Sequence, residues 1–249
     1  MIRIPDNMVI PWKNEYSIQL LIKYVYSDPS GQYSYFTDRA ILTTKNEHVD
    51  YINNIILNQV PGETITYRSY NSVSDNTQGL YQQEFLNSIT PNGLLPHKLC
   101  LKVGSPIMCL HNLDPTNGLC NRMRLICRSF HLNLIEAMIT TGNCKGNVVF
   151  LPHIPLIPSE NIKLPFILKR RQFSIRLAFA LTINKSQGQT ISCIGVYLPE
   201  HVFTHGQLYI AFSRAKSQRD IKVLVKNGKI SGKQGTFMCN VIYKEILEN

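Results

Sequence analysis

Short continuous apolar runs alternate with helical-period stretches along the chain, and that alternation predicts an α/β protein. "RAILTTKN" (Arg39 to Asn46) is a brief buried strand running into a polar turn. "EHVDYINNIIL" follows it, with Val49, Ile52, Ile55 and Ile56 at helical spacing behind an acidic first turn. Strand, donor-rich turn and amphipathic helix together make one unit of an α/β sheet. The same texture returns late in the chain. "FSIRLAFALTINKSQGQTI" reads as one buried strand and a polar turn, "CIGVYLP" as a strand, "FTHGQLYIAFSRA" as a helix and "DIKVLV" as a final strand.

Between these stretches the rhythm changes. From Thr64 to Pro96 the chain is polar and turn-rich, with "NSVSDNTQG" as loop and "LYQQEFLNSI" as a short helix. From about Leu99 to Arg171, short β-prone runs are punctuated by "VGSP" and "DPTNG", and "NVVFLPHIPLIPS" adds a proline-broken strand. Several short strands so close together suggest a small β-barrel inserted into the α/β domain. The expected division is a connector at 1–35, an α/β domain from 36–97 and 170–227, a barrel at 98–169 and a basic tail at 228–249.

Composition adds a partner class. The 249 residues carry 26 Lys and Arg against 16 Asp and Glu, a net charge of +10, which favours a polyanion such as nucleic acid or an acidic membrane surface. No apolar run reaches the length of a membrane-spanning helix. Seven cysteines without a CxxC pair read as reduced, mostly buried thiols of an intracellular protein. The histidines are scattered, with His201 and His205 forming only an incomplete metal pair, so no metal site is expected.

Two segments carry candidate chemistry. In "TINKSQGQT", Thr182 and Ser186 offer hydroxyls, Asn184 and Gln187 amides, Lys185 a point charge, and Gly188 room for close backbone approach. That inventory suits sugar-phosphate contacts, and it also suits an ordinary turn. In "HGQLYIAFSRAKS", Arg214 could meet a phosphate through its fork, or simply favour the macrodipole at a helix end. Charge placement tips the balance toward nucleic acid. No Asp or Glu occurs between Asn161 and Pro199, whereas Lys163, Lys169, Arg170, Arg171, Arg176 and Lys185 all do. Lys98, Lys102, Arg122, Arg124 and Arg128 give the barrel region its own basic face.

In this order, "RAILTTKNEHVDYIN", "LKVGSPIMCLHNLDPTNGLCNRMRLIC", "RLAFALTINKSQGQTI" and "HGQLYIAFSRAKS" resemble the C-terminal half of the Pif-family DNA helicases, and especially the helicase part encoded by Helitron transposons. The resemblance implies a second RecA-like domain (a parallel sheet with flanking helices) carrying an inserted small SH3-like β-barrel, in a nuclear, ATP-dependent 5′-to-3′ DNA helicase. It implies that Asn46, Gly188 and Gln207 lie near the nucleotide, and that Arg214 is the arginine finger on the γ-phosphate of ATP. It further implies single-stranded DNA contacts from Thr182, Asn184, Lys185, Ser186 and Gln187, joined by Arg122, Arg124, Lys169, Arg170 and Arg171 from the basic regions. Residues 1–35 become the connector from a first RecA-like domain.

The sequence departs from the family pattern in instructive places. Arg122 and Met123 replace a Gly-Thr pair at a turn, Asn184 stands where His is frequent, and His111 stands where Arg is typical. No G-x-x-x-x-G-K-[ST] motif and no adjacent Asp-Glu pair occur anywhere. ATP and Mg²⁺ are therefore expected only in an intact helicase, completed by an N-terminal helicase domain in trans or in a longer gene product. The chain is expected to bind single-stranded DNA and to be inactive as an ATPase alone. The other readings are a non-catalytic nucleic-acid-binding module and a decayed transposon remnant.

Overall fold

Among the described residues, nine strands of antiparallel sheet interrupt the chain between the two parts of a parallel one. The computed structural model describes residues 1–27, 33–73, 80–90, 94–158 and 164–243. It divides into two compact units, Met1–Pro61 with Ala178–Asn249, and Gly62–Leu177. The first unit opens with β1 (Ile2–Ile4), α1 (Tyr16–Val25), β2 (Arg39–Thr43) and α2 (Asn46–Gln59). The second holds β3 (Ile65–Arg68), β4 (Tyr70–Val73), α3 (Gln83–Ser88), β5 (Lys98–Leu101), β6 (Pro106–Cys109), β7 (Arg124–Phe130), β8 (Leu134–Ile139), β9 (Val148–Leu156), β10 (Leu168–Phe173) and β11 (Ile175–Leu177). The chain then returns to the first unit with β12 (Ala180–Thr182), β13 (Cys193–Leu198), α4 (Gln207–Phe212), β14 (Ile221–Val225) and β15 (Thr236–Met238).

In the first unit the order β12-β2-β13-β14 is parallel throughout. Its strands are nearly continuous apolar runs, as sheets covered on both faces require. Helix α1 lays Ile18, Leu21, Ile22 and Val25 against this sheet. Gly195 in β13 admits it, since a Cβ there would meet Val25 Cγ2 at 2.9 Å and Leu21 Cδ1 at 3.1 Å. Asn53 of α2 is buried and pins the edge strand β12, accepting from the Ala180 amide at 2.8 Å. The described part of the expected connector, residues 1–27, thus packs as part of the first unit. Their helical apolar spacing lies among aromatic and turn residues that obscure it in the sequence, and β1 pairs with β15, tying the basic tail back to the chain start.

The second unit is antiparallel, in the order β11-β6-β7-β8-β9-β10-β4, with β3 pairing β5. Among the described residues its ladders run from β11 to β4 without joining those two edges. The division between units falls at 61/62 and 177/178 rather than at 97/98 and 169/170, because β3, β4, β10 and β11 all pair within the antiparallel sheet. "FSIRLAFALTI", expected as one strand, is two. β11 pairs β6 in one unit, and β12 pairs β2 in the other.

Of the seven free cysteines, Cys109 and Cys127 are buried and the other five half-buried, so the expectation of mostly buried thiols is corrected. Burial pushes the Cys109 thiol up to about 12. Among the described residues no helix is long and apolar enough to cross a membrane.

Candidate nucleic-acid interface

Ligands of open parallel sheets gather beyond the carboxyl ends of the strands. In the first unit that edge carries "TTKN" after β2, "INKS" after β12 and "PE" after β13. Lys45 Nζ joins two of these loops, lying 2.5 Å from Glu200 and 3.8 Å from Glu47. A hydrogen bond from Lys45 holds the Glu200 carboxyl below the usual carboxylate range. His48 completes a Glu47–His48–Glu200 group whose ligand atoms lie within 4.8 Å of one another. Lys45 already supplies its positive charge. The buried hydroxyls of Thr43 and Thr44 have no hydrogen-bond partner among the described residues, which leaves this edge unfinished.

The "TINKSQGQT" segment forms a 3₁₀ turn over Ile183–Ser186 that projects beyond β12. Asn184, Gln187 and Gly188 are exposed there, and Thr182 and Lys185 are half-buried. Gly188 has φ +83° with open space beside it, a backbone conformation that favours glycine. Ser186 departs from expectation. It is fully buried, and its hydroxyl donates to the Ile183 carbonyl at 2.7 Å, so it shapes the turn and offers nothing outward.

Arg214 is half-buried just past α4. Its Nε donates to the Ile210 carbonyl at 3.1 Å, one amino group to the Gln189 carbonyl at 3.3 Å, and the other to Ser213 Oγ at 2.9 Å. The Arg214 carbonyl in turn accepts from the Ile191 amide at 3.1 Å. Arg214 therefore ties the end of α4 to the far side of the "TINKSQGQT" loop. A guanidinium has five N–H donors, so three bonds leave two. Gln207 is 1% exposed, and its side-chain oxygen accepts from the Phe203 amide at 3.1 Å, which commits that oxygen to the turn before α4. Asn46 is exposed at the start of α2.

The basic residues of the second unit separate. Lys169 and Arg171 are exposed, whereas Arg170 between them is 0% exposed. Arg170 donates to Asn71 Oδ1 at 2.7 Å and to the carbonyls of Leu95 at 2.7 Å, Ile89 at 2.8 Å and Leu86 at 3.0 Å. Burial lowers its pKa from the ordinary arginine value. It is the polar hub of a core cluster containing Val73, Leu86, Leu95 and Leu168, and it is withdrawn as a DNA contact. Arg124, 2% exposed within β7, is withdrawn as well. Lys102 is buried too, so the expected basic face shrinks to Lys98, Arg122 and Arg128. Arg122 is exposed with φ 69°, the one non-glycine with positive φ among the described residues. That is the left-handed turn at which the sequence lacks its glycine.

The second unit also carries a cleft that no sequence motif marks. Arg171 opens onto a cleft of about 840 Å³ lined by Tyr67, Tyr70, Phe130 and His153. These residues come from segments far apart in the chain, and no motif links them.

Comparison with known proteins agrees with this architecture. The family model described as DNA helicase Pif1, 2B domain, matches residues 84–130, all within the second unit. The ATP-dependent DNA helicase PIF1 of Danio rerio is 32% identical over 190 residues, covering 74% of this chain and 27% of that protein. Its Xenopus laevis counterpart is 27% identical over 189 residues, covering 76% and 28%. A crystal structure of Bacteroides Pif1 bound to ssDNA superposes with a TM-score of 0.61 at 21% identity, covering 94% of this chain and 49% of that one. Fold and matches together define a RecA-like helicase architecture. The chain is similar to the Pif1 DNA helicases over about three quarters of its own length, and it spans just over a quarter of the length of these curated relatives.

Proposed function

We propose that this chain is the strand-gripping part of an ATP-dependent 5′-to-3′ DNA helicase, with its antiparallel unit as the small SH3-like β-barrel of that architecture. The observation that carries this reading is the 184–188 loop. It stands exposed beyond the carboxyl edge of a parallel sheet, presenting two amides and a glycine, beside loops with unsatisfied hydroxyls. Sugar-phosphate contacts need such donors and fix a strand without reading its bases. Lys169, Arg171 and Arg122 add exposed cations on the second unit.

The residues present do not by themselves fit ATP and Mg²⁺, because the sequence contains neither a phosphate-loop motif nor an adjacent Asp-Glu pair. The nucleotide belongs to a phosphate-binding lobe, supplied in trans or by another part of a longer protein. To it this chain contributes Arg214, whose two remaining N–H donors suit a phosphate oxygen. A nuclear location belongs to the same reading. A second reading, a nucleic-acid-binding module without a motor, is favoured by the same hydrogen bonds, which give Arg214 a structural task of its own.

ATP hydrolysis separates the two. Joined to a phosphate-binding helicase lobe, the chain supports DNA-stimulated hydrolysis, and Arg214→Ala lowers the rate by about 10³-fold or more, as losing an arginine finger does. The chain alone hydrolyses nothing. Magnesium-dependent hydrolysis by the chain alone, or full activity of the Arg214→Ala form in the joined protein, contradicts the proposal.

A further inference from the structure

We infer that the second unit holds a seat for an unstacked nucleobase and its phosphate, in the cleft between the β3–β4 corner and the 131–133 turn joining β7 to β8. This goes beyond the loop at 184–188 and rests on the nucleic-acid reading only for the polymer that presents the base.

The floor of the cleft is built from flat rings. Tyr67 meets Phe173 edge-on with centroids 4.7 Å apart, and its hydroxyl donates to the His131 carbonyl at 2.7 Å, fixing the turn that forms one wall. His153 packs 3.7 Å from Phe173 at an interplanar angle of 31°. Burial, and then the nearby Arg171, hold its pKa below the usual imidazole range, so at neutral pH it presents an uncharged ring. Tyr70 is 68% exposed and has no ring partner among the described residues. An aromatic ring held in water on a β-strand is the platform on which a base stacks.

The rim is cationic. Arg68 and Arg171 are both exposed, and Arg171 lies directly across the β4–β10 ladder from Tyr70. Neither forms an ion pair among the described residues, and no carboxylate lines the cleft. Flat apolar surfaces with two unpaired forks beside them select a planar group that carries a phosphate. A simple carboxylate ligand leaves the rings unused, and an uncharged aromatic leaves the arginines unused. At about 840 Å³ the cleft is within the usual size range of ligand sites, roughly 300–1,000 Å³.

The test uses the full chain and a thymidine oligonucleotide containing one 2-aminopurine, whose fluorescence drops when the base stacks. Wild type quenches the probe. Tyr70→Ala abolishes the quench and weakens binding about fivefold or more, while Tyr70→Phe keeps both. Because Tyr70 is exposed, circular dichroism should show Tyr70→Ala folded as wild type. Arg68→Gln with Arg171→Gln weakens binding and flattens its salt dependence. Quench and affinity unchanged in folded Tyr70→Ala overturn the seat. Competition identifies the source of the base. Adenosine monophosphate that restores fluorescence assigns the seat to free nucleotides, and competition only by a tetranucleotide assigns it to a strand; both keep the seat. If the loop reading fails instead, Asn184→Ala with Gln187→Ala leaves affinity intact while Tyr70→Ala still removes the quench.

Discussion

Strand β10 and the loop after β12 read alike in the sequence, as acid-poor stretches with cations, yet the structure treats them differently. In β10 the run Lys169-Arg170-Arg171 obeys the two-residue period of a strand, so adjacent side chains leave on opposite faces. The outer two reach solvent, and the middle one becomes the most heavily hydrogen-bonded residue of a core cluster. The 183–188 segment turns, so the amides of Asn184 and Gln187, three residues apart, are both exposed, while Ser186 turns back to brace the backbone. A basic run counts toward a nucleic-acid surface only after its backbone period has been taken into account.

The largest effect that sharpens this contrast is at Arg170. Arg170→Met removes a buried cation and strips four acceptors of their donor, so it destabilises the fold by about 3–5 kcal/mol in urea unfolding. Lys169→Met and Arg171→Met, on the outward face, change stability by no more than about 0.5 kcal/mol. A mild Arg170→Met would make β10 as tolerant as the loop and erase the distinction.

A smaller effect has the opposite sign. Arg122 holds a left-handed backbone in which a side chain is strained, so Arg122→Gly stabilises the fold by about 0.5–1 kcal/mol, read from the same denaturation curves. The smallest is a pH effect confined to the second unit. The pKa values of His97 and His153 are both lowered, chiefly by burial, so the folded state resists protonating them. The stability tied to their neutral forms is complete above the ordinary imidazole value near 6.5, and it is lost as pH falls toward the lowered values. The unfolding midpoint should therefore drop between pH 7 and pH 5, and His153→Phe should flatten that drop. A midpoint that rises over this range contradicts the assignment.

The parts of the fold legible in the sequence are those with a clean period. α2, β2, β13, β14 and α4 all lie where the apolar spacing puts them. "FSIRLAFALTI" is unbroken in hydrophobicity, so nothing in it marks the point where the chain leaves one sheet for another at 177/178. α1 was hidden because its apolar face is set among tyrosines and a polar flank. In the site, the exposed residues of the "TINKSQGQT" loop were legible as a donor inventory. The burial of Ser186, Arg124 and Arg170 was not, since it depends on turn geometry and strand phase. The cleft at Tyr67 and Tyr70 was invisible for another reason: its four walls come from four separate segments, and only the β-sheet registers assemble them.

Equilibrium binding of a fluorescent single-stranded oligonucleotide across a salt series, for wild type and for Asn184→Ala with Gln187→Ala, reads the grip of the 184–188 loop on a strand. Wild-type affinity should fall steeply with salt, with a log–log slope of about 0.7 per phosphate contact. The double variant should bind at least about fivefold more weakly while its unfolding curve is unchanged. Wild-type affinity indifferent to salt, or a double variant that binds as wild type does, contradicts that grip.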